Sequence, residues 1–347
     1  LTPQQTRPWL GDATISLRTA GGLRAFPGGC EITCEFVVSN FSPRTIDDAL
    51  RLHLNDKLLD TTHPVQSEPG RLAPVFARIP LPNVDCPTPI HLHAQLMGAE
   101  PKAWTIWALP EPGQARPGVT RLAGLEFTDD ERTMTFQERR YSSGWGLDNA
   151  SWRPLLPDTE ALFPDAPAID PDALGSLDGV LVTHRLTQGV LAFVAAGGRA
   201  LLLASRAVGG LDAATVNLWG QVPLIVERGP IRPGQSACIA DWLHLDLTAH
   251  HQRGVPTQDM GLADHVQPFV RFVVIHDGGE PVILDALFAM RIGAGLLAVS
   301  SLDHTQPAGR WLLDRVLTFA AAHDPESLAS CPIELMRPHC LEHCRRG

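Results

Sequence analysis

Tyrosine is nearly missing from this chain, with one residue in 347, and aromatic residues make up only 6% of it. Basic charge is also short: 28 Lys and Arg against 38 Asp and Glu leave a formal net charge of -10. That balance lacks the electrostatic footprint of a nucleic-acid partner. No apolar run reaches the roughly 18 residues that span a bilayer, so no membrane partner is expected. The chain reads as soluble, and its compartment, cytoplasmic or secreted, stays open. It begins at Leu1 with no methionine and no charged, apolar, small-residue leader, which reads as a processed or excised piece. The seven cysteines are an odd number without the spacing of a disulfide framework.

What is present is a globular composition, 44% hydrophobic and 19% charged, at a length that suits two domains. Up to Pro110 apolar residues alternate with polar ones, which puts one set of side chains on a core face. The alternation runs through "TISLRT", "CEITCEFVVSN", "ALRLHLND" and "PIHLHAQL". Turns such as "FPGG" and "SEPG" separate these runs, so the region reads as an antiparallel β-sandwich. Cys30 and Cys34 face one side of a strand. Four extended residues hold them roughly 13 Å apart, beyond the roughly 7 Å reach of a bridge, and they read as core hydrophobes. Trp104 and Trp107, in "AWTIWALPEPG", have an odd spacing that points them to opposite faces of the last strand. One fills the core and the other is left toward solvent or a neighbouring domain.

Residues 113–176 read as a linker, "PEPGQARPGV", followed by the opening strand of a second domain in "GVTRLAGLEF" and by Pro- and Asp-rich chain. From Asp178 the pattern changes. "DGVLVTH" is a buried strand, "RLTQGVLAFVAAGG" a helix with a glycine stop, and "RALLLAS" another buried strand, together a parallel βαβ unit. "FVVIHDGGEPVIL" and "LFAMRIGAGLLAVSSLD" read as strands joined by glycine turns, and "PAGRWLLDRVLTFAAAH" as an amphipathic helix.

"AWTIWALPEPG", "VLVTHRL", "VAAGGRALLLAS" and "ALFAMRIGAGLLAVSSLDH", in that order before a closing helix, resemble the C-terminal region of bacterial proteins related to family 2 glycoside hydrolases. The likeness spans most of residues 10–323, and the tail from Cys331 has no counterpart in it. It implies an immunoglobulin-like β-sandwich over residues 1–112, then a flavodoxin-like or class I amidotransferase-like three-layer α/β domain over residues 177–325, with residues 326–347 as a tail. In that family the catalytic barrel lies upstream, so no catalytic residue carries over. The resemblance implies a noncatalytic accessory region partnered by an upstream glycosidase barrel or by further copies of itself, with carbohydrate as a ligand and no cofactor.

Tested for chemistry of its own, the chain offers few candidates. A retaining glycosidase needs two carboxylates about 5 Å apart, usually on a barrel of about 250 residues, for which there is no room. Glu126, Glu138 and Asp285 read as solvated or structural. Cys238, in "GQSACIADWLHL", and Ser205 are weak nucleophile candidates, since Cys238 precedes a strand-like run and no G-x-S-x-G surrounds Ser205. "GAGLLA" matches a loose dinucleotide pattern but reads as a hairpin turn.

Two clusters remain. Asp241, His244, Asp246, His250, His251, Asp264 and His265 read as the polar face of a strand and its following loop. The alternative is a pocket for sugar hydroxyls or a cation beside Trp242. In the tail, "CPIELMRPHCLEHC" would pair His339 with His343 and Cys340 with Cys344 if the segment after Pro338 is helical, and Cys331 adds a further ligand. That donor set suits zinc, against plain packing or a disulfide. Three functions therefore compete: the accessory region; a glycan-binding module using Trp145 or Trp152; and a small amidotransferase-like hydrolase centred on Cys238 or Ser205.

Overall fold

A computed structural model of the chain describes residues 13–59, 62–97, 99–111, 118–123, 159–204, 211, 214–216, 221–248, 252–274 and 281–340. It divides into two units, Leu1–Glu111 and Pro112–Gly347.

The first unit is built from β1 (Ala13–Thr19), β2 (Ala25–Pro27), β3 (Glu31–Asn40), β4 (Ile46–Leu54), β5 (Lys57–Leu58), β6 (His63–Ser67), β7 (Leu72–Pro80), β8 (Thr88–Gln95) and β9 (Lys102–Leu109). One sheet runs β1-β3-β7 and the other β2-β9-β8-β4-β5, with β6 paired to β4. Alternation dictates the packing: Ile32, Cys34, Phe36 and Val38 of β3 meet Leu50, Leu52, Ile90 and Leu92 of the opposing sheet in one core. Burial pushes the Cys34 thiol up to about 11. Trp104 reaches that core and stacks edge-on against Phe36 at 5.9 Å. Trp107 faces the other way, yet it is 9% exposed and so is not left in solvent. The β4–β5 hairpin turns on Asn55 (φ 46°) and Asp56 (φ 66°), the paired positive angles of a type I′ turn.

The second unit carries β10 (Val119–Leu122), β11 (Ala168–Ile169), β12 (Val180–Thr183), helix α1 (Gln188–Ala195), β13 (Arg199–Leu203), β14 (Ala214–Val216), β15 (Gln221–Ile225), helix α2 (Ser236–Trp242), β16 (Gln252–Gly254), β17 (Gln267–Val274), β18 (Val282–Ile292), β19 (Gly295–Ser300), helix α3 (Pro307–Ala322) and β20 (Ser330–Cys331). One nine-stranded sheet runs β11-β10-β12-β13-β19-β18-β17-β15, with β20 beside β18. From β11 to β19 its neighbours are parallel. Beyond β19 the pairs β19–β18, β18–β17 and β17–β15 are antiparallel, and β20 lies parallel to β18. The fold is a mixed β then α/β arrangement.

Local chemistry fixes the βαβ unit. Thr187 caps α1 by accepting Val190 N–H, and the helix ends in a Schellman motif. In that motif Gly198 N–H donates to Phe193 O and Gly197 N–H to Val194 O, both at 3.0 Å, with Gly197 at φ 110°. Helix α1 covers the face formed by Leu181, Ala200, Leu202, Leu297 and Val299. The alternate residues Val180, Val182, Leu201, Leu203, Leu296 and Ala298 are equally buried. Strands buried on both faces read as unbroken apolar runs, as expected of the parallel half. "GAGLLA" is a hairpin, with Ile292 paired to Gly295 and Gly293 at φ 58°.

Two expectations are corrected. Cys238 does not precede a strand: it lies in α2, which continues as a π-helical turn over Leu243–Leu247. Ile239, Trp242, Leu243, Asp246 and Leu247 are all buried, a spacing of three and four that is helical. The leucines at 243, 245 and 247 alternate, and that short window alone suggested a strand. The tail after Pro338 is not one continuous helix either, because Arg337–His339 form a 3-10 turn and Cys340 is extended (φ -87°, ψ 139°).

Candidate functional site at the carboxyl edge of the sheet

Buried polar residues of the second unit gather where the parallel strands end. Thr183 closes β12, and its hydroxyl accepts Arg185 N–H at 3.0 Å and donates to Arg185 O at 2.9 Å. That tight turn leaves His184 and Arg185 buried at the strand end. Two strand spacings away, roughly 10 Å, Ser300 closes β19 and is followed by Ser301, Asp303 and His304, all buried. Asp246 belongs to the π-helical segment and Thr248 follows it directly, and the segment touches the same loop because Asp303 N–H donates to Leu247 O at 2.6 Å. Turns of π type recur at functional sites.

The best-defined feature is a short chain of hydrogen bonds. His304 Nδ1 lies 2.9 Å from Gly309 O, and its Nε2 lies 2.8 Å from Ser300 Oγ. A carbonyl only accepts, so the proton sits on Nδ1 and Nε2 accepts from the serine hydroxyl. Ser300 Oγ also accepts Leu302 N–H at 3.3 Å. Burial pushes the His304 pKa down, against the opposing pull of the Gly309 bond and the Asp303 charge. Asp303 Oδ1 in turn accepts Thr305 N–H at 2.8 Å and the Thr305 hydroxyl at 2.6 Å.

A serine hydroxyl on an imidazole nitrogen is the spacing of a nucleophile and its base. Here the orienting group is a carbonyl rather than a carboxylate, and Ser300 and His304 are 1% and 3% exposed. The pair is shut off from solvent.

The residues singled out from sequence are scattered. Ser205, Trp145, Trp152, His250, His251, His343 and Cys344 lie outside the described residues. Cys238 is buried, its Sγ donates to Gln235 O at 3.0 Å, and burial pushes its thiol up to about 12. Trp242 is 0% exposed and packs edge-on against Trp311 at 5.5 Å. Asp264 is exposed, while His265 Nδ1 holds the tail through Ser330 O at 2.7 Å. Asp246 is fully buried rather than on a solvated face.

In the tail, Cys331 and Cys340 pack on the apolar cluster beneath α1, and burial pushes each thiol up to about 11. Among the described residues no three His, Cys, Asp or Glu side chains are placed to hold a metal ion, and no helix is long and apolar enough to cross a membrane. Ser300, Asp303 and His304 were not anticipated as a group. Their signal is the polar run "SSLDH" directly after a wholly apolar strand.

A second concave feature, a cleft of about 470 Å³, lies at one end of the sandwich. Asn83, Asp85 and Glu111 line it together with Gly28 and Leu109.

No protein-family profile matches the sequence, and no curated protein matches it. Among solved structures, the CARDB domain of a Pyrococcus furiosus protein is similar at 12% identity and TM-score 0.24, over 29% of this chain and 90% of that one. A β-glucosidase from Listeria innocua is similar at 11% identity and TM-score 0.24, over 28% of this chain and 16% of its own. An alkylpurine DNA glycosylase from Pseudomonas fluorescens is similar at 9% identity and TM-score 0.24, over 28% of this chain and 30% of that one. Likeness at this level assigns no activity.

Proposed function

We propose that this chain is the noncatalytic accessory region of a glycoside hydrolase-like carbohydrate-active protein, bracing a catalytic barrel, shaping substrate access or mediating oligomer contacts. In this reading the first unit is an immunoglobulin-like sandwich and the second a flavodoxin-like, amidotransferase-like three-layer domain. The strand order supports the second assignment. Numbered within the unit, the parallel strands run 2-1-3-4 and then β19, the flavodoxin order with the antiparallel strands inserted before the last parallel one.

The observation that carries the noncatalytic reading is the burial of the Ser300–His304 pair at the carboxyl edge, where this fold class places ligands. Its best-defined groups, Ser300, His304 and Gly309, satisfy one another. Cys238, the described alternative nucleophile, is a buried thiol whose pKa lies far above neutral.

The test is turnover by the purified chain of aryl glycosides, aryl esters and glutamine. The expected result is none above a Ser300→Ala, Cys238→Ala double variant, and turnover lost in that variant contradicts the reading. The coding sequence upstream of Leu1 tests the accessory role. A βα barrel with paired carboxylates agrees with it, and a start codon beside Leu1 contradicts it.

A further inference from the structure

The loop between β19 and α3 carries a feature that an accessory role does not require. Every polar hydrogen of the Ser300–His304 pair has an acceptor in this chain only while His304 is neutral. In that state Nδ1–H donates to Gly309 O, and Nε2 accepts from Ser300 Oγ, which itself accepts Leu302 N–H. Protonation adds a donor at Nε2. Ser300 Oγ would then face two donors, and its own proton would need a new acceptor at a site that is 1% exposed.

The contact it would disturb has no slack. A Cβ built on Gly309 would lie 1.9 Å from Asp303 O and 2.8 Å from His304 Cα, so the first turn of α3 rests directly on the backbone of this loop. We propose that the Ser300–His304–Gly309 chain is an acid-released clasp, which holds the first turn of α3 on the end of β19 while His304 is neutral and frees it when His304 takes a second proton.

Among the described residues, the charged groups around the ring do not relieve the conflict. Asp303, on the same loop, favours the charged ring, but its Oδ1 is engaged by Thr305 and burial outweighs it. On α3, Arg310 is exposed and turns its Nε to Thr305 O at 3.4 Å. Among the described side chains, the ionisable group on the π-helical segment is the buried Asp246, and those at the end of β12 are the buried His184 and Arg185. The adjacent end of β13, Leu203 and Ala204, is apolar.

The direction follows from linkage. A histidine that resists protonation in the folded state contributes stability that is complete above about pH 6.5 and is lost progressively as pH falls below it. The clasp depends on this loop alone and stands whatever partner the chain has.

Segment-resolved hydrogen exchange tests it. After correction for intrinsic rates, the α3 amides 310–313 should exchange about tenfold faster at about pH 5 than at about pH 7.5. Amides of β3 in the sandwich serve as the control. His304→Gln, which cannot take the proton, should abolish the acid step. Unchanged protection in the wild type, or the same step in His304→Gln, overturns the clasp. Ser300→Ala offers a second route if His304→Gln does not fold: it removes the hydroxyl that opposes protonation, so the folded-state pKa moves toward the free value and the acid step should shrink, and an undiminished step overturns the proposal.

Discussion

The two units bury polar groups in opposite ways. Among the described residues of the sandwich, the buried polar ones are Asn40 and Ser67, both uncharged. Both are satisfied: Asn40 Nδ2 donates to Arg44 O and Ser67 O, its Oδ1 accepts from Ser42 N–H and Oγ, and Ser67 Oγ donates to Arg71 O. The α/β unit instead buries His184, Arg185, Asp246, Asp285, Asp303 and His304, most of them at one edge of the sheet. Buried ionisable groups are expensive unless matched. The sandwich is therefore held by apolar fit with one polar tie, whereas the α/β unit depends on matched polar contacts that a single change can unmatch.

Substitutions can break that contrast. Phe36→Ala, at the centre of the sandwich core, should destabilise the first unit by about 4 kcal/mol, seen as faster exchange of the β3 and β7 amides while α3 is unaffected. Asp285→Ala should act on the second unit by about 3 kcal/mol, because it strands Arg271. The Arg271 Nε and Nη2 lie 2.6 and 2.9 Å from the Asp285 oxygens, and Thr257 donates to the same carboxylate. Replacing Arg271 and Asp285 together by Met and Leu should recover most of that loss in urea unfolding. An apolar pair that performs no better than the single variant would erase the contrast.

Smaller effects sharpen the picture. Gly309→Ala should cost about 2 kcal/mol, because the added Cβ meets Asp303 O rather than a movable side chain. Urea unfolding should show the loss, and exchange should localise it to the first turn of α3. Thr187→Ala removes the cap on Val190 N–H and should lower stability by about 1 kcal/mol in the same assay.

How much of this was legible depended on the range of the contacts. The β12–α1–β13 unit could be read because its punctuation is local: a threonine cap, a glycine stop and apolar runs on either side. The sandwich strands declared themselves by alternation, and residue parity put Trp104 and Trp107 on opposite faces. Burial of Trp107 could not be read, since parity fixes the face and not what covers it. Helix α2 was misread because Leu243, Leu245 and Leu247 satisfy a period of two over a window too short to exclude 3.6. The Ser300–His304–Gly309 chain spans only ten residues of sequence, so its partners were in view. Its burial was not, because that comes from β19 lying beside β13 and from the π-helical segment meeting Asp303. Cys331 and Cys340 invited a metal by residue type alone, and their apolar surroundings appear only in the fold.

Ser300 and His304 are matched to each other and shut off from solvent, and the reactivity of Ser300 measures this most directly. The purified chain should be incubated with a fluorophosphonate, which labels activated serines, near neutral pH, and the adducts mapped by mass spectrometry. A buried pair predicts no adduct on Ser300. An adduct on Ser300 that disappears in His304→Gln would contradict it, and would make the pair a working nucleophile and base.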